Sequence, residues 1–195
     1  MARKIFSLTL NKYFYSPWCR VFTDHQLKVM EYREDLEYFW IDGPGFKING
    51  GQACVLVNDA LKTFQNIADG NNNSSGTFYF SHSGTLLKLL AFLNIVEDEE
   101  QLRSDNFKQM DRRQWRTSQI GPFGGNIAFV LQKCEEEYKI GLYVNEMLTT
   151  IPGCEDWCSL SRFLAMYPLS EHCKFNEMCD KPDEEEIVNV PDDKY

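Results

Sequence analysis

The sequence is short of basic charge and of long apolar runs. Its 20 Lys and Arg residues are outnumbered by 29 Asp and Glu residues, which gives a formal net charge of −9 and a pI near 4.9. A nucleic-acid-binding protein needs a basic face that displaces counterions from phosphates, so we expect no nucleic-acid partner. No apolar run approaches the roughly 20 residues that a membrane-spanning helix requires, and we therefore predict no membrane span.

Histidine is equally scarce, with only His25, His82 and His172 in the chain. These three are scattered, and no pair of carboxylates stands beside them at the spacing of metal ligands. The pattern therefore argues against a catalytic metal site. We expect neither a metal nor another cofactor.

The length and composition are those of a folded protein. A chain of 195 residues of which 43% are hydrophobic can bury a core as one domain, with or without an appendage. Residues 180–195 differ from the rest, because they contain seven acidic residues against two lysines. This composition predicts a solvated, disordered tail.

Seven cysteines favour an oxidising compartment. The short spacings of Cys154 with Cys158 and of Cys173 with Cys179 are typical of local disulfides. Zinc is the alternative for these four thiols, but their spacings are looser than those of usual zinc ligand pairs. Overlapping glycosylation sequons at Asn72 and Asn73 also favour the secretory pathway. In contrast, the opening sequence MARKIFSLTLNKYF does not have the pattern of a signal peptide, and one explanation is that Met1 is not the natural beginning.

Apolar periodicity and turn residues predict an α/β fold with a mixed sheet and flanking helices. Asp24 is the predicted N-cap of a first helix that ends at the Gly43-Pro44-Gly45 turn. The further predicted elements are a helix over Cys54 to Ile67, a buried strand over Thr77 to Phe80, a helix over Thr85 to Leu93, a hairpin formed by Asn126 to Lys133 and Lys139 to Asn145, and a short helix near Ser159 to Tyr167.

His82 lies where the predicted strand Thr77 to Phe80 turns into the following helix. Ligands of open α/β sheets gather at the carboxyl ends of strands, where a following helix also presents free backbone N–H groups to anions. The alternative is a histidine that is simply hydrogen-bonded at the end of a strand. The pattern alone does not decide between the two.

Several separated motifs, in order along the chain, resemble one known family. They are SPWCRVF, LEYFW, GPGFKINGGQACVL, FYFSHSGTLLKLLAFLNIVEDEEQL, RRQWRTSQIGPFGGNIAFVLQKC and LYVNEMLTTIPGC, which fall within residues 13–179. They resemble the carboxyl-terminal half of the histidine acid phosphatases, on the branch of the multiple inositol polyphosphate phosphatases and in an arthropod-like version. The resemblance implies part of the phosphoglycerate-mutase-like (histidine phosphatase) fold and a phosphomonoester substrate such as a phosphorylated inositol.

The resemblance also implies a role for His82 as the histidine that binds the phosphoryl oxygens. Enzymes of this family carry a nucleophilic histidine in an Arg-His-Gly-x-Arg-x-Pro motif and an acidic proton donor next to the later histidine. The 195 residues contain no Arg-His-Gly, and Ser83 and Gly84 stand at the two donor positions. Without a nucleophile and a proton donor, we expect this chain alone to be inactive.

The family further implies disulfides between Cys19 and Cys54 and between Cys154 and Cys158. A bond between Cys173 and Cys179 is predicted from their proximity in sequence. Cys134 is then the unpaired thiol, either buried at a strand end or bonded to a partner in a missing segment. The family and the cysteines together imply a secreted or endoplasmic-reticulum lumenal protein.

Four cations around Trp115, namely Lys108, Arg112, Arg113 and Arg116, are candidate ligands for the peripheral phosphates of an inositol ring. The alternative is an ordinary solvated surface segment. The resemblance divides the chain into the end of a helical region at 1–76, the carboxyl-terminal half of the phosphatase domain at 77–179 and the acidic tail at 180–195.

Three functional interpretations remain open from the sequence. The first is a phosphatase by descent, seen here as a truncated gene model or a shortened paralogue. The second is a pseudophosphatase that binds inositol phosphates or another small ligand without turnover. The third is an interaction protein or a remnant, and an exposed sheet edge would let it associate with itself.

Overall fold

The computed structural model describes residues 21–167 and Cys173. In chain order its elements are helices α1 (Asp24–Ile41), α2 (Lys47–Gly51), α3 (Cys54–Ala68) and α4 (Ser83–Phe92), a 3-10 turn (Gln109–Arg112), helix α5 (Thr117–Ile120), strands β1 (Ile127–Cys134), β2 (Glu137–Val144), β3 (Met147–Thr149) and β4 (Cys158–Ser159), and helix α6 (Leu160–Met166). The α/β class predicted from the sequence is confirmed. No described helix is both long and apolar enough to cross a membrane.

Helix α1 begins at Asp24, and its N-cap lies one residue before the predicted cap. The N-cap is Thr23, whose hydroxyl accepts a hydrogen bond from the Gln26 N–H at 3.3 Å, while Gln26 Oε1 accepts from the Thr23 N–H at 2.8 Å. This reciprocal pair satisfies two backbone groups at the start of the helix. The prediction that Asp24 is the cap was wrong, and Asp24 instead adds a negative charge to the first helical turn.

The predicted strand over Thr77 to Phe80 is absent from the structure. The segment is irregular, and Phe78 and Phe80 are 84% and 95% exposed. A strand needs a neighbouring strand to satisfy its backbone groups. No strand of the described residues pairs with this one, so its β-prone side chains cannot by themselves form a ladder.

The sheet is built around β2. Strand β1 pairs antiparallel with one edge of β2 from Ile127 opposite Val144 to Cys134 opposite Glu137. Strands β3 and β4 pair antiparallel with different stretches of β2. The predicted hairpin is thus confirmed, but every pair in the described part is antiparallel, whereas a mixed sheet was predicted. The parallel component was expected from Thr77 to Phe80, which pairs with nothing here.

Two hydrophobic clusters form the interior, and α4 contributes to both. The first, which we call the sheet core, joins α3, β2 and α6 with Leu89 and Leu93 at the end of α4. The second, the tryptophan core, joins α1 and Trp115 with Leu87 of α4. Because α4 buries residues in both clusters from Leu87 onward, the helix that follows His82 is anchored in both.

The division at residue 76 remains a prediction. Both clusters contain residues from each side of it, for example Leu61 and Leu89 in the sheet core and Phe39 and Leu87 in the tryptophan core. The acidic tail at 180–195 lies outside the described residues.

Candidate functional site

His82 is the N-cap residue of α4. Its backbone is extended, with φ −93° and ψ 163°, and its carbonyl accepts a hydrogen bond from the Thr85 N–H at 3.1 Å. The imidazole makes no capping bond, is exposed, and has no hydrogen-bonding or ionic partner among the described residues. The alternative of a histidine engaged in a hydrogen bond at a strand end is therefore not the arrangement seen.

The residues around His82 present hydroxyl groups at the same turn. Ser81 Oγ and Thr85 Oγ1 lie 2.7 Å apart, which ties the segment before α4 to the first turn of the helix. Two residues before Ser81, in the irregular segment, the Tyr79 hydroxyl donates a hydrogen bond to Asp59 on α3. This bond, with smaller contributions from burial and from the charge of Asp59, raises the pKa of Tyr79 above its ordinary value.

The amino end of α4 suits an anionic group. The first N–H groups of a helix have no partner within the helix, and the helix dipole places partial positive charge there. Protonated or neutral, the free imidazole of His82 can donate one N–H to the same group. The turn can therefore offer hydrogen-bond donors from both backbone and side chain to one oxyanion.

Arg113, predicted as a substrate ligand, lies in the interior. Its Nε and Nη2 donate to Asp35 Oδ2 at 2.9 and 2.5 Å, and its Nη1 donates to the Met110 carbonyl at 3.1 Å. The Arg113 and Asp35 side chains are 3% and 0% exposed. The guanidinium also lies 5.0 Å from the ring centroid of Tyr32. This burial leaves no face of Arg113 for a substrate phosphate.

Arg116 is also engaged within the protein. Its Nη2 donates to the Asp111 carbonyl at 2.5 Å, and its Nη1 lies 3.8 Å from Glu31 Oε2. By contrast, Lys108 and Arg112 are exposed, and neither side chain has a hydrogen-bonding or ionic partner in the described part. The four predicted cations thus divide into two with structural contacts and two that are available to solvent. No contact brings either exposed cation to the turn of His82 within residues 21–167.

Asp35 is a central residue that sequence reasoning missed. Besides Arg113, its Oδ1 accepts from the backbone N–H and the hydroxyl of Thr117, both at 2.8 Å, and its carbonyl accepts from Trp115 Nε1 at 3.1 Å. These bonds attach α1 to the segment before β1. The available signal was the position of an acid three residues after Tyr32 and four before Phe39, on the face of α1 that is buried.

The disulfides differ from two of the three predicted pairs. Cys54 bonds to Cys173, so the predicted bonds Cys19–Cys54 and Cys173–Cys179 are both wrong. The reason is tertiary: Cys54 begins α3, and folding brings Cys173 to a Cα–Cα distance of 5.5 Å from it across 119 residues of sequence. Cys19 and Cys179 lie outside the described residues.

The predicted bond between Cys154 and Cys158 is present. With Cys173 also in a disulfide, three of the four thiols considered as zinc ligands are oxidised. Cys134 is a free, half-buried thiol at the end of β1. The described residues contain no group of three or more His, Cys, Asp or Glu side chains placed to hold a metal ion.

The predicted glycosylation sites Asn72 and Asn73 lie in an irregular loop after α3, and Asn73 is exposed. Asn72 Oδ1 accepts a hydrogen bond from the Ser74 N–H at 2.9 Å. Modification of either asparagine remains a prediction.

Similar proteins support the resemblance that the motifs suggested. The chain is 30% identical over 179 residues to multiple inositol polyphosphate phosphatase 1 of Gallus gallus, covering 86% of this chain and 40% of that protein. It is 32% identical over 169 residues to the protein of the same name from Drosophila melanogaster, covering 85% and 32%. The chain thus spans less than half the length of either relative.

A solved structure shows the same fold. The crystal structure of the phytase from D. castellii superposes with a TM-score of 0.70 at 18% identity, covering 86% of this chain and 36% of that one. A family model described as the histidine phosphatase superfamily (branch 2) matches residues 3–145. The chain therefore belongs to branch 2 of the histidine phosphatase superfamily.

Proposed function

We propose that this chain binds a phosphate group of a phosphorylated inositol, or of another phosphomonoester, at the amino end of α4. The observation that carries the proposal is His82, an exposed imidazole without a partner in the described part, at the cap of a helix that is anchored in both cores. Family membership supplies the substrate class, and the inositol specificity follows the relatives of that name.

Within the proposal, Lys108 and Arg112 are the cations available for further phosphates. Their exposed side chains have no partner among the described residues, so binding would not require an existing ion pair to break. Arg113 and Arg116 have structural contacts instead. The proposed binding set is therefore His82 with Lys108 and Arg112, the two cations contributing through long-range attraction.

The same proposal includes the absence of turnover by these 195 residues alone. They contain no Arg-His-Gly nucleophile motif, and Ser83 and Gly84 occupy the positions beside His82. General-acid catalysis supplies about 10²- to 10⁴-fold in rate, and a missing nucleophile also removes the covalent route. The chain then acts as a pseudophosphatase, which holds a phosphate without cleaving it.

A second candidate is hydrolysis by a longer protein that includes this sequence. The relatives favour it, because this chain covers only 40% of the Gallus gallus protein and 32% of the Drosophila melanogaster protein. In that case His82 would bind the oxygens of the phosphoryl group, and the additional sequence would supply the nucleophile. Finding an Arg-His-Gly-x-Arg-x-Pro motif upstream in the transcript would favour this second candidate.

Three accessory proposals accompany both candidates. A secreted or lumenal location agrees with the two disulfides and with sequons in an irregular loop. A glycosidase-sensitive mass shift that is lost in the combined variant Asn72→Gln/Asn73→Gln would support the glycan, and an unchanged mass would contradict it.

Self-association is proposed through the exposed Phe78 to Phe80 segment, and sedimentation of the variant Phe78→Ser/Phe80→Ser tests it.

The decisive experiment is calorimetric titration with inositol hexakisphosphate. We expect saturable, salt-sensitive binding that weakens by about tenfold in His82→Ala, since a hydrogen bond to a charged group contributes about 1.5–3 kcal/mol. His25→Ala is the matched control, because His25 is also exposed but packs on Phe107. Equal affinities of the two variants would contradict the role of His82. Phosphate release that His82→Ala abolishes would contradict the absence of turnover.

A further inference from the structure

Gly84, in the first turn of α4, faces a carboxylate from another helix. A Cβ atom built on Gly84 would lie 2.6 Å from Asp42 Oδ2 and 3.1 Å from Asp42 Oδ1. Folded proteins essentially never hold a Cβ that close to another atom. The space that a side chain at position 84 would take is therefore already filled by Asp42.

Asp42 is held in this position from both sides. It is the C-cap residue of α1, and its N–H donates to the Tyr38 carbonyl at 2.9 Å. The next residue, Gly43, packs against the ring of Trp115, and its carbonyl accepts from Asn49 Nδ2 at 3.0 Å. A short side chain on such a fixed backbone has little freedom to move away from Gly84.

Lys88 completes the arrangement. Its Nζ lies 2.8 Å from Asp42 Oδ1, and the Lys88 and Asp42 side chains are only 23% and 12% exposed. Lys88 follows Gly84 by four residues, so both lie on the same face of α4. The Lys88 ammonium group therefore neutralises the charge of the Asp42 carboxylate, which lies beside the first turn of α4.

We infer that the Asp42–Lys88 ion pair takes the place of a side chain at position 84 and sets the electrostatic balance beside His82. The electrostatic part of this inference rests on the proposed phosphate site, whereas the steric part does not. Asp42 contributes a negative charge next to a turn that is proposed to bind an anion, and Lys88 cancels it. Removal of the Asp42 charge should therefore raise anion affinity, and removal of the Lys88 charge should lower it.

The steric part is tested by folding stability. Helix propensity alone predicts that Gly84→Ala raises the midpoint of thermal unfolding, because alanine favours a helix more than glycine does. In the wild-type background we expect the opposite, a midpoint lower by about 5 °C, because the new methyl group displaces Asp42. In the Asp42→Ala background the same substitution should raise the midpoint. An equal rise in both backgrounds would overturn the steric inference, whatever the protein binds.

The electrostatic part is tested by titration with inositol hexakisphosphate at fixed low salt. Asp42→Asn should tighten binding by roughly fivefold, and Lys88→Met should weaken it by a similar factor, as expected for one charge near the site. The combined variant should return close to wild type. Glu37→Gln is the control for Asp42→Asn. It removes one negative charge as Asp42→Asn does, but from the exposed pair of Glu37 with Arg33 on α1.

The outcomes separate the two proposals. If the wild-type chain does not bind the ligand, the proposed function fails, and the Gly84 and Asp42 stability comparison still decides the steric inference. If the wild type binds but Asp42→Asn and Lys88→Met shift affinity no more than Glu37→Gln, the electrostatic inference is wrong and the proposed function stands.

Discussion

Truncation of Arg113 should remove a large part of the folding free energy. In Arg113→Ala, the Asp35 carboxylate stays fully buried but loses the two hydrogen bonds from Nε and Nη2, keeping only those from Thr117. A hydrogen bond to a charged group contributes about 1.5–3 kcal/mol, and removal of one partner from a buried ion pair costs about 3–5 kcal/mol. We therefore expect a loss of about 4 kcal/mol, against a total stability of about 5–15 kcal/mol.

The neighbouring residue provides the control. Arg112 is exposed and has no partner among the described residues, so Arg112→Ala should change the unfolding free energy by less than about 0.5 kcal/mol. Guanidinium unfolding followed by tryptophan fluorescence, to which the buried Trp115 contributes, measures both variants. A loss below about 1 kcal/mol for Arg113→Ala would refute the reasoning. The combined variant Asp35→Asn/Arg113→Met should recover part of the loss, because no charge is then buried without a partner and the amide oxygen still accepts from Thr117.

Two further predictions concern the disulfide and the response to alkaline pH. Cys173→Ala removes the bond that closes the loop between Cys54 and Cys173, which are 119 residues apart in sequence, and should lower the unfolding free energy by about 2–4 kcal/mol. Peptide mapping of the wild-type protein without reductant should recover a Cys54–Cys173 peptide. Recovery of Cys19–Cys54 or Cys173–Cys179 instead would contradict the fold around α3. Burial raises the pKa of Tyr32 above its ordinary value of 10.0, so the unfolded chain loses this proton first as the pH rises. The stability due to Tyr32 is fully present below pH 10.0 and is lost as the pH rises through the folded pKa. Denaturant titrations above pH 10.0 should therefore show a shallower decline in Tyr32→Phe, and identical slopes would count against this assignment.

The elements that were predicted correctly depend on neighbours in sequence. Helix α3 carries its buried residues Cys54, Val57 and Leu61 on one face, and that periodicity is visible in the letters. The β1–β2 hairpin likewise needs only two β-prone runs and the short turn between them, where Glu135 has a φ of +54°. Local propensity and pattern suffice for such elements.

The errors share one cause, which is dependence on a distant partner. Thr77 to Phe80 has the composition of a buried strand, but strand formation requires a neighbour, and the described residues supply none. Cys54 pairs with Cys173, although Cys173 is only six residues from Cys179. Sequence proximity is a weak guide to disulfide pairing, because folding determines which thiols meet.

The candidate site was predicted in part. The motif FYFSHSGT was enough to single out His82, because a histidine between a β-prone run and a helical pattern lies where a helix presents its free N–H groups. The same reasoning grouped Lys108, Arg112, Arg113 and Arg116 as one cationic cluster. The structure separates them, since Asp35 draws Arg113 into the interior from 78 residues away.

The sequence by itself determined the family, most of the helices, the hairpin and the place of His82, because these are written in local periodicity and in ordered motifs. Only the tertiary structure decided which charges are buried, which cysteines bond, and that the space at Gly84 belongs to Asp42 and Lys88. The physical reason is that burial, ion pairing and steric exclusion arise between residues that are far apart in the chain. The adjacent residues Arg112 and Arg113 are chemically identical, and folding alone exposes Arg112 to water and buries Arg113 against the Asp35 carboxylate.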